Sequence, residues 1–341
     1  MIFFGGIFVR DAVLIAGVYI AAVIGAGFAS GSEIVHYFLP SGNAGIFGIL
    51  FACILFGIVA ERLLYDARNA ESFGACLEKN MPHFAAVGTE KLSVFFMAVL
   101  FVSMLSGGGE ILRELTGWEK GKLVLLLCVL SAIVFFFDLR GFVAVNNLLA
   151  VVIITGILTV CICLLNGQTR HTAALGHALS SGGNYASYNI LTAGAVVVSL
   201  GRGKKLPRGI CGVISGGMFF LLLTLLWLVL RRADEGVLNS QLPMLTLCRE
   251  QGRTLYAIYA AVLLSAMLTT AFCNGFCVLD QISLPRPIRV LLLVGFGYLL
   301  AGLEFSFLVD RVYRAAGFLG FFFLVCVLIH PVIKKLKKGE K

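Results

Sequence analysis

The chain has 341 residues, of which 59% are hydrophobic and only 13% charged, and its mean hydropathy is +0.97. A soluble domain carries about 25% charged residues, so this composition excludes an ordinary soluble protein and predicts an integral membrane protein in contact with a lipid bilayer. The net charge of +9 does not indicate a nucleic acid partner, because the basic residues cluster in short loops and at the C-terminus. The ten cysteines form no C-x-x-C motif and are interpreted as free thiols.

Ten apolar segments follow one another along the chain, and most have the roughly 20 residues that a helix needs to cross a bilayer. We expect an all-α integral membrane protein with about ten transmembrane helices and no soluble domain. Most lysines and arginines lie on the inner side if both termini are cytoplasmic, which predicts that orientation. The basic tail at 334–341 either lies along the anionic inner leaflet or is a plain stop-transfer tail. The segments are roughly 11–38, 43–64, 90–113, 121–138, 141–165, 185–201, 207–231, 254–280, 287–305 and 309–333.

The first segment contains the run VIGAGFASGSEI, Val23–Ile34, with glycines at 25, 27 and 31. Small residues four apart let two membrane helices pack closely, so close packing is one interpretation of this run. The second interpretation is a break in the helix, because each glycine costs about 1 kcal/mol relative to alanine in a helix interior. A break frees backbone groups that must face a cavity, an ion or a substrate. We favour the break.

The sixth segment is short and opens with the polar run GGNYASYNILTAG, Gly182–Gly194. Transporters with inverted repeats place one discontinuous helix at the same position in each half. Division of the ten segments into five plus five pairs the first segment with the sixth. The sequence therefore predicts a 5+5 inverted repeat, with helices 1 and 6 discontinuous, repeat one at about 11–165 and repeat two at about 185–333. The predicted substrate-binding residues are Gly25, Ala26, Gly27, Ser30, Gly31, Ser187, Tyr188 and Asn189.

The eighth segment carries two adjacent hydroxyl residues near its middle, Thr269 and Thr270, with Asn274 one turn further on. A threonine in a membrane helix can bond back to its own i−4 carbonyl, which accounts for either residue alone. As a pair they are also suited to a hard cation such as sodium, which takes oxygen ligands.

Glu33 is an ionisable residue inside the first segment, where a charge costs about 2.5–3.5 kcal/mol on insertion scales and marks a functional candidate. His36 lies three residues on and can share its helix face, so the pair is predicted to relay protons or to hold a cation. The alternative is a shallow Glu33 that meets water or an arginine. Glu110 either lines the outer vestibule or pairs with Arg113. We interpret Asn146 and Asn147 as interfacial, and Glu304, Asp310, Arg311 and Arg314 as a loop ion cluster.

Four stretches together resemble the YkvI-like family of uncharacterised bacterial integral membrane proteins: GAGFASGSEI, ASYN in segment 6, PML at Pro243–Leu245, and LTT followed by NGF in segment 8. That family is grouped with the amino acid–polyamine–cation superfamily, and the resemblance covers nearly the whole chain. It implies a LeuT-type fold in the bacterial inner membrane, with a site between helices 1, 3, 6 and 8. It further implies a sodium ion held by Ala21, Ile24, Ala266, Thr269 and Thr270. Glu33 departs from the apolar stretch usual after the break in amino-acid carriers.

These observations predict a secondary active transporter with alternating access for a small polar solute, an amino acid or related zwitterion. Sodium coupling is favoured over proton coupling. The alternative is a ligand sensor of transporter fold that acts through a partner chain without net transport. We expect no enzyme activity, because no H-E-x-x-H, no G-x-S-x-G and no paired mid-span aspartates are present. No cofactor is expected beyond a bound sodium ion, and the oligomeric state is left open.

Overall fold

The computed structural model describes residues 2–137, 139–165, 177–302 and 317–330, with side chains from residue 9 onward. The predicted loop ion cluster at 304–314 and the basic tail at 334–341 lie outside these residues. All ten cysteines are free thiols, as expected. The helices are α1 Ile2–Val23, α2 Ala26–Ser30, α3 Ser32–Tyr37, α4 Gly45–Ala67, α5 Phe73–Leu77, α6 His83–Thr116, α7 Lys120–Phe136, α8 Leu139–Leu164, α9 Ala178–Gly201, α10 Ile210–Leu230, α11 Glu235–Leu238, α12 Pro243–Gln251, α13 Arg253–Asp280, α14 Arg286–Leu300 and α15 Gly317–His330.

Each of the ten predicted spans has a helical counterpart in the structure, and the first span is divided among α1, α2 and α3. Among the described residues, five helices are long and apolar enough to cross a membrane. They differ in their surroundings: the apolar part of α13 is 78% buried within the protein, whereas that of α8 is only 28% buried. This difference places α13 in the centre of the bundle and α8 at its edge. The five are α4 together with the 3₁₀ turn before it (Leu39–Ala67), α6 (His83–Thr116), α8 (Leu139–Leu164), α10 (Ile210–Leu230) and α13 (Arg253–Asp280).

The central helix α13 packs along α6 and α8 and also contacts α1, α2 and α12. On the other side of the bundle, α4 packs between α9 and α10. Glycines bring these helices into backbone contact: a methyl group at Gly182 would lie 2.3 Å from the carbonyl oxygen of Gly48. A methyl group at Gly212 would lie 2.5 Å from the carbonyl oxygen of Gly57. Small residues therefore set the spacing of α4 against both neighbours, as in other membrane bundles.

The break in helix 1 is confirmed. α1 ends at Val23, Gly25 is extended with φ −85° and ψ −168°, and the chain resumes as α2 at Ala26. A second interruption follows at Gly31, whose φ of +82° is in the left-handed region that favours glycine. The helix ends at this point leave backbone carbonyls and amides without partners inside their own helix. Those groups lie next to α13, the most buried of the long helices.

The structure corrects the prediction that helix 6 is discontinuous, because α9 is one unbroken helix from Ala178 to Gly201. Its polar side chains bond back to carbonyls of the same helix. Ser187 donates to the carbonyl of Gly183 at 2.9 Å, and Asn189 donates to that of Tyr185 at 3.1 Å. The hydroxyl of Ser187 and the amide of Asn189 thus find partners within the helix, so these polar groups do not require a break. The helix also begins seven residues before the predicted start at 185.

Candidate functional site

The break in helix 1 lies against a pair of hydroxyl groups on α13. Thr269 Oγ1 is 3.1 Å from the carbonyl oxygen of Ala21, at the end of α1, and 2.9 Å from that of Ala266. A hydroxyl has one proton and can donate to only one of these carbonyls. Thr270 Oγ1 is buried without a hydrogen-bond partner among the described residues, and a methyl group at Gly25 would lie 3.2 Å from it.

The structure therefore brings together four of the five residues predicted to bind an ion: Ala21, Ala266, Thr269 and Thr270. The fifth, Ile24, lies buried in the non-helical link between α1 and Gly25. A threonine with a purely structural role would donate its hydroxyl proton to the carbonyl four residues earlier. The Thr270 hydroxyl makes no such bond and has no other hydrogen-bond partner among the described residues. The cluster has more oxygen acceptors than protons to donate, which suits a small hard cation.

A second contact from α13 holds the other side of the break. The hydroxyl of Tyr259, which is fully buried, donates to the carbonyl of Ala29 in α2 at 2.5 Å. Sequence reasoning missed this residue, since a tyrosine in an apolar run gives no sign of its long-range partner. α13 thus bonds to helix 1 both before and after the interruption.

The predicted substrate-binding residues of α2 and its flanks have separate roles. Ser30 Oγ lies 3.2 Å from the carbonyl oxygen of Gly27 and 3.0 Å from Ser32 Oγ, so this serine closes the turn at Gly31. Gly31 packs against neighbouring helices, where a methyl group would lie 2.7 Å from a methyl carbon of Leu230. Gly25, Ala26 and Gly27 are all buried in the segment that faces α13.

Glu33 is buried, with 7% of its surface exposed, so its side chain does not lie open to water as the alternative interpretation required. Its side chain folds back over the broken helix, so that a methyl group at Gly27 would lie 2.0 Å from Oε1. The carboxyl group faces the hydroxyls of Tyr188 and Tyr185 on α9. Its Oε2 atom has no hydrogen-bond partner, and no basic side chain forms an ion pair with it, among the residues that the structure describes.

His36 is not brought to Glu33, contrary to the predicted pair. The histidine is exposed, and its ring makes an edge contact with Tyr37 at 4.8 Å between centroids. Tyr37 takes the place next to Glu33 instead, since its ring lies 5.6 Å from that of Tyr185 and 6.0 Å from that of Tyr188. Residues 33 and 37 are one helical turn apart, a spacing that could have identified this neighbour. We call Glu33, Tyr37, Tyr185 and Tyr188 the Glu33–tyrosine cluster.

Of the three site residues predicted in helix 6, only Tyr188 joins this cluster. Ser187 and Asn189 bond to their own helix, as described above. The backbone of Ser187 is also covered by α15, where a methyl group at Gly320 would lie 2.1 Å from the Ser187 carbonyl oxygen. Tyr185, three residues before Tyr188 and on the same face, was not predicted. The polar run in α9 therefore contributes to the site through its tyrosine rings.

Glu110 pairs with Arg113, which confirms one of its two interpretations, and the outer-vestibule interpretation stays a prediction. It also lies 3.7 Å from Lys120 Nζ and lines a cavity of about 260 Å³ between α6, α12 and α13. At the mouth of this cavity Arg249 of α12 forms an ion pair with Glu114 of α6 at 2.6 Å.

Asn146 and Asn147 make hydrogen bonds to neighbouring helices inside the bundle, and their interfacial depth in the membrane stays a prediction. Asn146 is fully buried and accepts a hydrogen bond from Cys273 Sγ at 3.4 Å. Asn147 donates to the carbonyl of Leu14 at 3.2 Å, which links α8 to α1. Both amides fix helices around the break. Among the described residues, no group of three or more His, Cys, Asp or Glu side chains is arranged to hold a metal ion.

Two curated relatives match almost the full length of the chain. The uncharacterised protein YyaD of Bacillus subtilis (strain 168) is 25% identical over 332 residues, covering 93% of this chain and 96% of YyaD. The uncharacterised membrane protein YkvI of the same organism is 26% identical over 333 residues, covering 92% and 94%. No family model matches the chain.

The fold is shared with solved transporter structures. MhsT in complex with L-phenylalanine superposes with a TM-score of 0.72 at 14% identity, covering 93% of this chain and 88% of MhsT. The chain therefore has a LeuT-type fold, and it is similar over almost its full length to the membrane protein YkvI. The manganese transporter of Eremococcus coleocola, bound to an aromatic bis-isothiourea compound, is also similar, with a TM-score of 0.54 at 14% identity and coverage of 94% and 76%. The chain is thus a multi-pass membrane protein, as its composition predicts.

Proposed function

We propose that this YkvI-like protein is a secondary active transporter of a small polar solute, an amino acid or related zwitterion, that works by alternating access and couples to sodium. The observation that carries the proposal is the interrupted helix 1 held against the hydroxyl pair of α13. In transporters of this type, half-helix ends and unwound carbonyls at mid-membrane bind the substrate and the coupling ion. The chain has such an interruption, and every residue from Val23 to Gly31 is buried.

The fold neighbours support transport but do not select the cargo. MhsT is described with L-phenylalanine, whereas the Eremococcus coleocola protein is a manganese transporter, so one architecture serves different solutes. The absence of a cluster of metal-ligating side chains among the described residues favours an organic solute over a transition metal. We place the protein in the bacterial inner membrane with both termini in the cytoplasm, on the distribution of its basic residues.

The helix contacts support the proposed 5+5 repeat. In the proposed repeat each helix of the first half has a counterpart in the second: α1, α4, α6, α7 and α8 correspond in order to α9, α10, α13, α14 and α15. When each helix in a contact is replaced by its counterpart, the resulting pair should also be in contact. The contact of α4 with α9 becomes that of α10 with α1, and both are present. The contact of α6 with α7 becomes that of α13 with α14, and both are again present. A two-fold related pair of five-helix units accounts for this recurrence.

Sodium coupling is supported by the oxygen cluster at Thr269 and Thr270, and proton coupling by the buried carboxyl group of Glu33. Uptake of the solute into proteoliposomes distinguishes the two coupling ions. It is measured once with an imposed sodium gradient and once with an imposed pH gradient. Thr270→Val removes the unpartnered hydroxyl with little change of volume. Ser265→Ala is the matched control, since that hydroxyl on the same helix bonds back to the carbonyl of Ala261 at 2.8 Å.

We expect sodium-driven uptake in the wild type and in Ser265→Ala, and its loss in Thr270→Val. Uptake that follows the pH gradient and ignores sodium would establish proton coupling instead. Sodium-independent binding without any net flux would favour the ligand-sensor alternative, in which the transporter fold signals through a partner chain. The predicted absence of enzyme activity stays a prediction.

A further inference from the structure

We propose that Glu33 and the three tyrosines around it bind the ammonium group of the transported solute. This inference rests on the proposed transport function and adds the chemical class of the substrate and its orientation. In the Glu33–tyrosine cluster a side-chain carboxylate lies against the interrupted helix, next to its backbone at Gly27.

The first step concerns charge. A carboxylate that is almost completely buried needs a positive partner or a proton, because burial of an isolated charge is costly. No basic side chain of the described residues forms an ion pair with Glu33, and its Oε2 atom has no hydrogen-bond partner. The groups that face the carboxyl are tyrosine hydroxyls, which carry no positive charge. Since none of the described basic side chains pairs with this carboxylate, we assign the positive partner to a bound ligand, and the test below separates that ligand from a proton.

The second step concerns the surrounding rings. Tyr37 stacks against Tyr188 with an interplanar angle of 27° and meets Tyr185 edge-on, and Tyr185 meets Tyr188 at 89°. These rings pack against one another beside the carboxyl group, and the electron-rich face of an aromatic ring attracts a cation through its quadrupole. A sodium ion or a transition metal would instead need several oxygen or nitrogen ligands. A carboxylate with aromatic rings beside it suits an organic ammonium.

The third step concerns the other polar side chains close to the break, which are alternative partners for a charged group. The hydroxyl of Ser30 and the side chains of Ser187 and Asn189 are engaged within their own helices. They do not compete for a charged group. Glu33, by contrast, lies directly over Gly27, where only the absence of a side chain leaves room for its carboxylate. An ammonium bound there is adjacent to the backbone ends that would receive the rest of the solute.

The test uses matched sets of three compounds built on alanine, leucine and phenylalanine. Each set contains the amino acid, the amine that lacks its carboxylate and the acid that lacks its amino group. Stabilisation of the detergent-purified full chain against thermal unfolding gives the affinity of each compound. We expect amino acids and amines to stabilise the wild type and the acids to have no effect. Glu33→Gln should weaken the ammonium-bearing compounds by about 30-fold or more, as for loss of one partner of a buried charge pair.

Glu61→Gln is the control, because that carboxylate accepts a hydrogen bond from the Gly212 amide at the contact of α4 with α10 and lies outside the cluster. It should bind like the wild type. If Glu33→Gln does not fold, Tyr37→Leu compared with Tyr37→Phe tests the same site, with a loss of about 5-fold expected only where the ring is removed.

Four results would decide against the inference. They are equal stabilisation by the acids, unchanged affinities in Glu33→Gln, no response to any ammonium-bearing compound, and loss of pH-dependent uptake in Glu33→Gln with ammonium affinity retained, which would assign a proton to this carboxylate. The proposed transport function fails separately. Binding of amines without flux would overturn transport and keep the ammonium site, whereas uptake of solutes without an amino group would do the reverse.

Discussion

The crossing of α4 and α9 offers a sharp test of the packing, because two adjacent glycines of α9 face different surroundings. A methyl group at Gly182 would lie 2.3, 3.0 and 3.1 Å from the oxygen, carbonyl carbon and Cα of Gly48. These are backbone atoms that cannot rotate away, so Gly182→Ala must separate the two helices. At Gly183 the nearest atom would be a ring carbon of Phe51 at 3.6 Å, an ordinary van der Waals distance.

Both substitutions gain about 1 kcal/mol of helix propensity, so their difference isolates the contact. Overpacking costs typically about 1–3 kcal/mol. We therefore expect Gly182→Ala to be less stable than Gly183→Ala by about 1–3 kcal/mol. At roughly 2 °C per kcal/mol for a chain of this size, its unfolding temperature should be lower by about 2–6 °C.

The assay is thermal unfolding of the purified variants in one detergent at one protein concentration. Gly48→Ala tests the same crossing from the α4 side, since its methyl group would lie 2.4 Å from the carbonyl oxygen of Ala178. It should resemble Gly182→Ala. Equal unfolding temperatures for Gly182→Ala and Gly183→Ala would refute the backbone contact and with it this placement of α9.

Two further substitutions test the neighbourhood of the break. Gly27→Ala should weaken binding of ammonium-bearing compounds by about 10-fold in thermal-shift titrations, because the new methyl group would lie 2.0 Å from Glu33 Oε1 and displace the carboxylate. Gly217→Ala, with no atom within 4 Å, is its control, and equal affinities would contradict the placement of Glu33. Asn147→Leu should lower the unfolding temperature by about 2 °C through the loss of a bond worth about 1 kcal/mol between α8 and α1, and an unchanged temperature would show that this bond contributes nothing.

Hydropathy and glycine content were sufficient to predict the helices and the break in helix 1, because both are local properties. Span length follows from bilayer thickness, and a glycine run weakens a helix wherever it occurs. The break in helix 6 could not be decided in the same way. A polar run shows that polar groups are present but not where their hydrogen bonds go, and in α9 they return to the helix itself.

The adjacent hydroxyl pair of α13 was predictable from the sequence, whereas the contacts that each side chain makes in the folded chain were mostly not. The contact of Thr269 with Ala21 joins residues 248 positions apart, and it was reached only through resemblance to a known family. Tyr259 and Ala29 are 230 positions apart, and nothing in either segment indicates their bond. His36 was chosen over Tyr37 because it is titratable, whereas burial in the folded chain selected the aromatic residue.

The two bonds from α13 to helix 1 have a mechanical consequence. Thr269 contacts the end of α1 and Tyr259 contacts α2, and these residues are ten positions apart, about 15 Å along the helix axis. The break lies between them, so neither half of helix 1 can tilt away from α13 without loss of one bond. A cation bound at the threonine pair would strengthen the tie to α1 and leave the tie to α2 unchanged. Coupling between binding and conformation is reciprocal. Because the cation stabilises the arrangement in which α1 lies against α13, that arrangement binds the cation more tightly than one in which α1 is displaced.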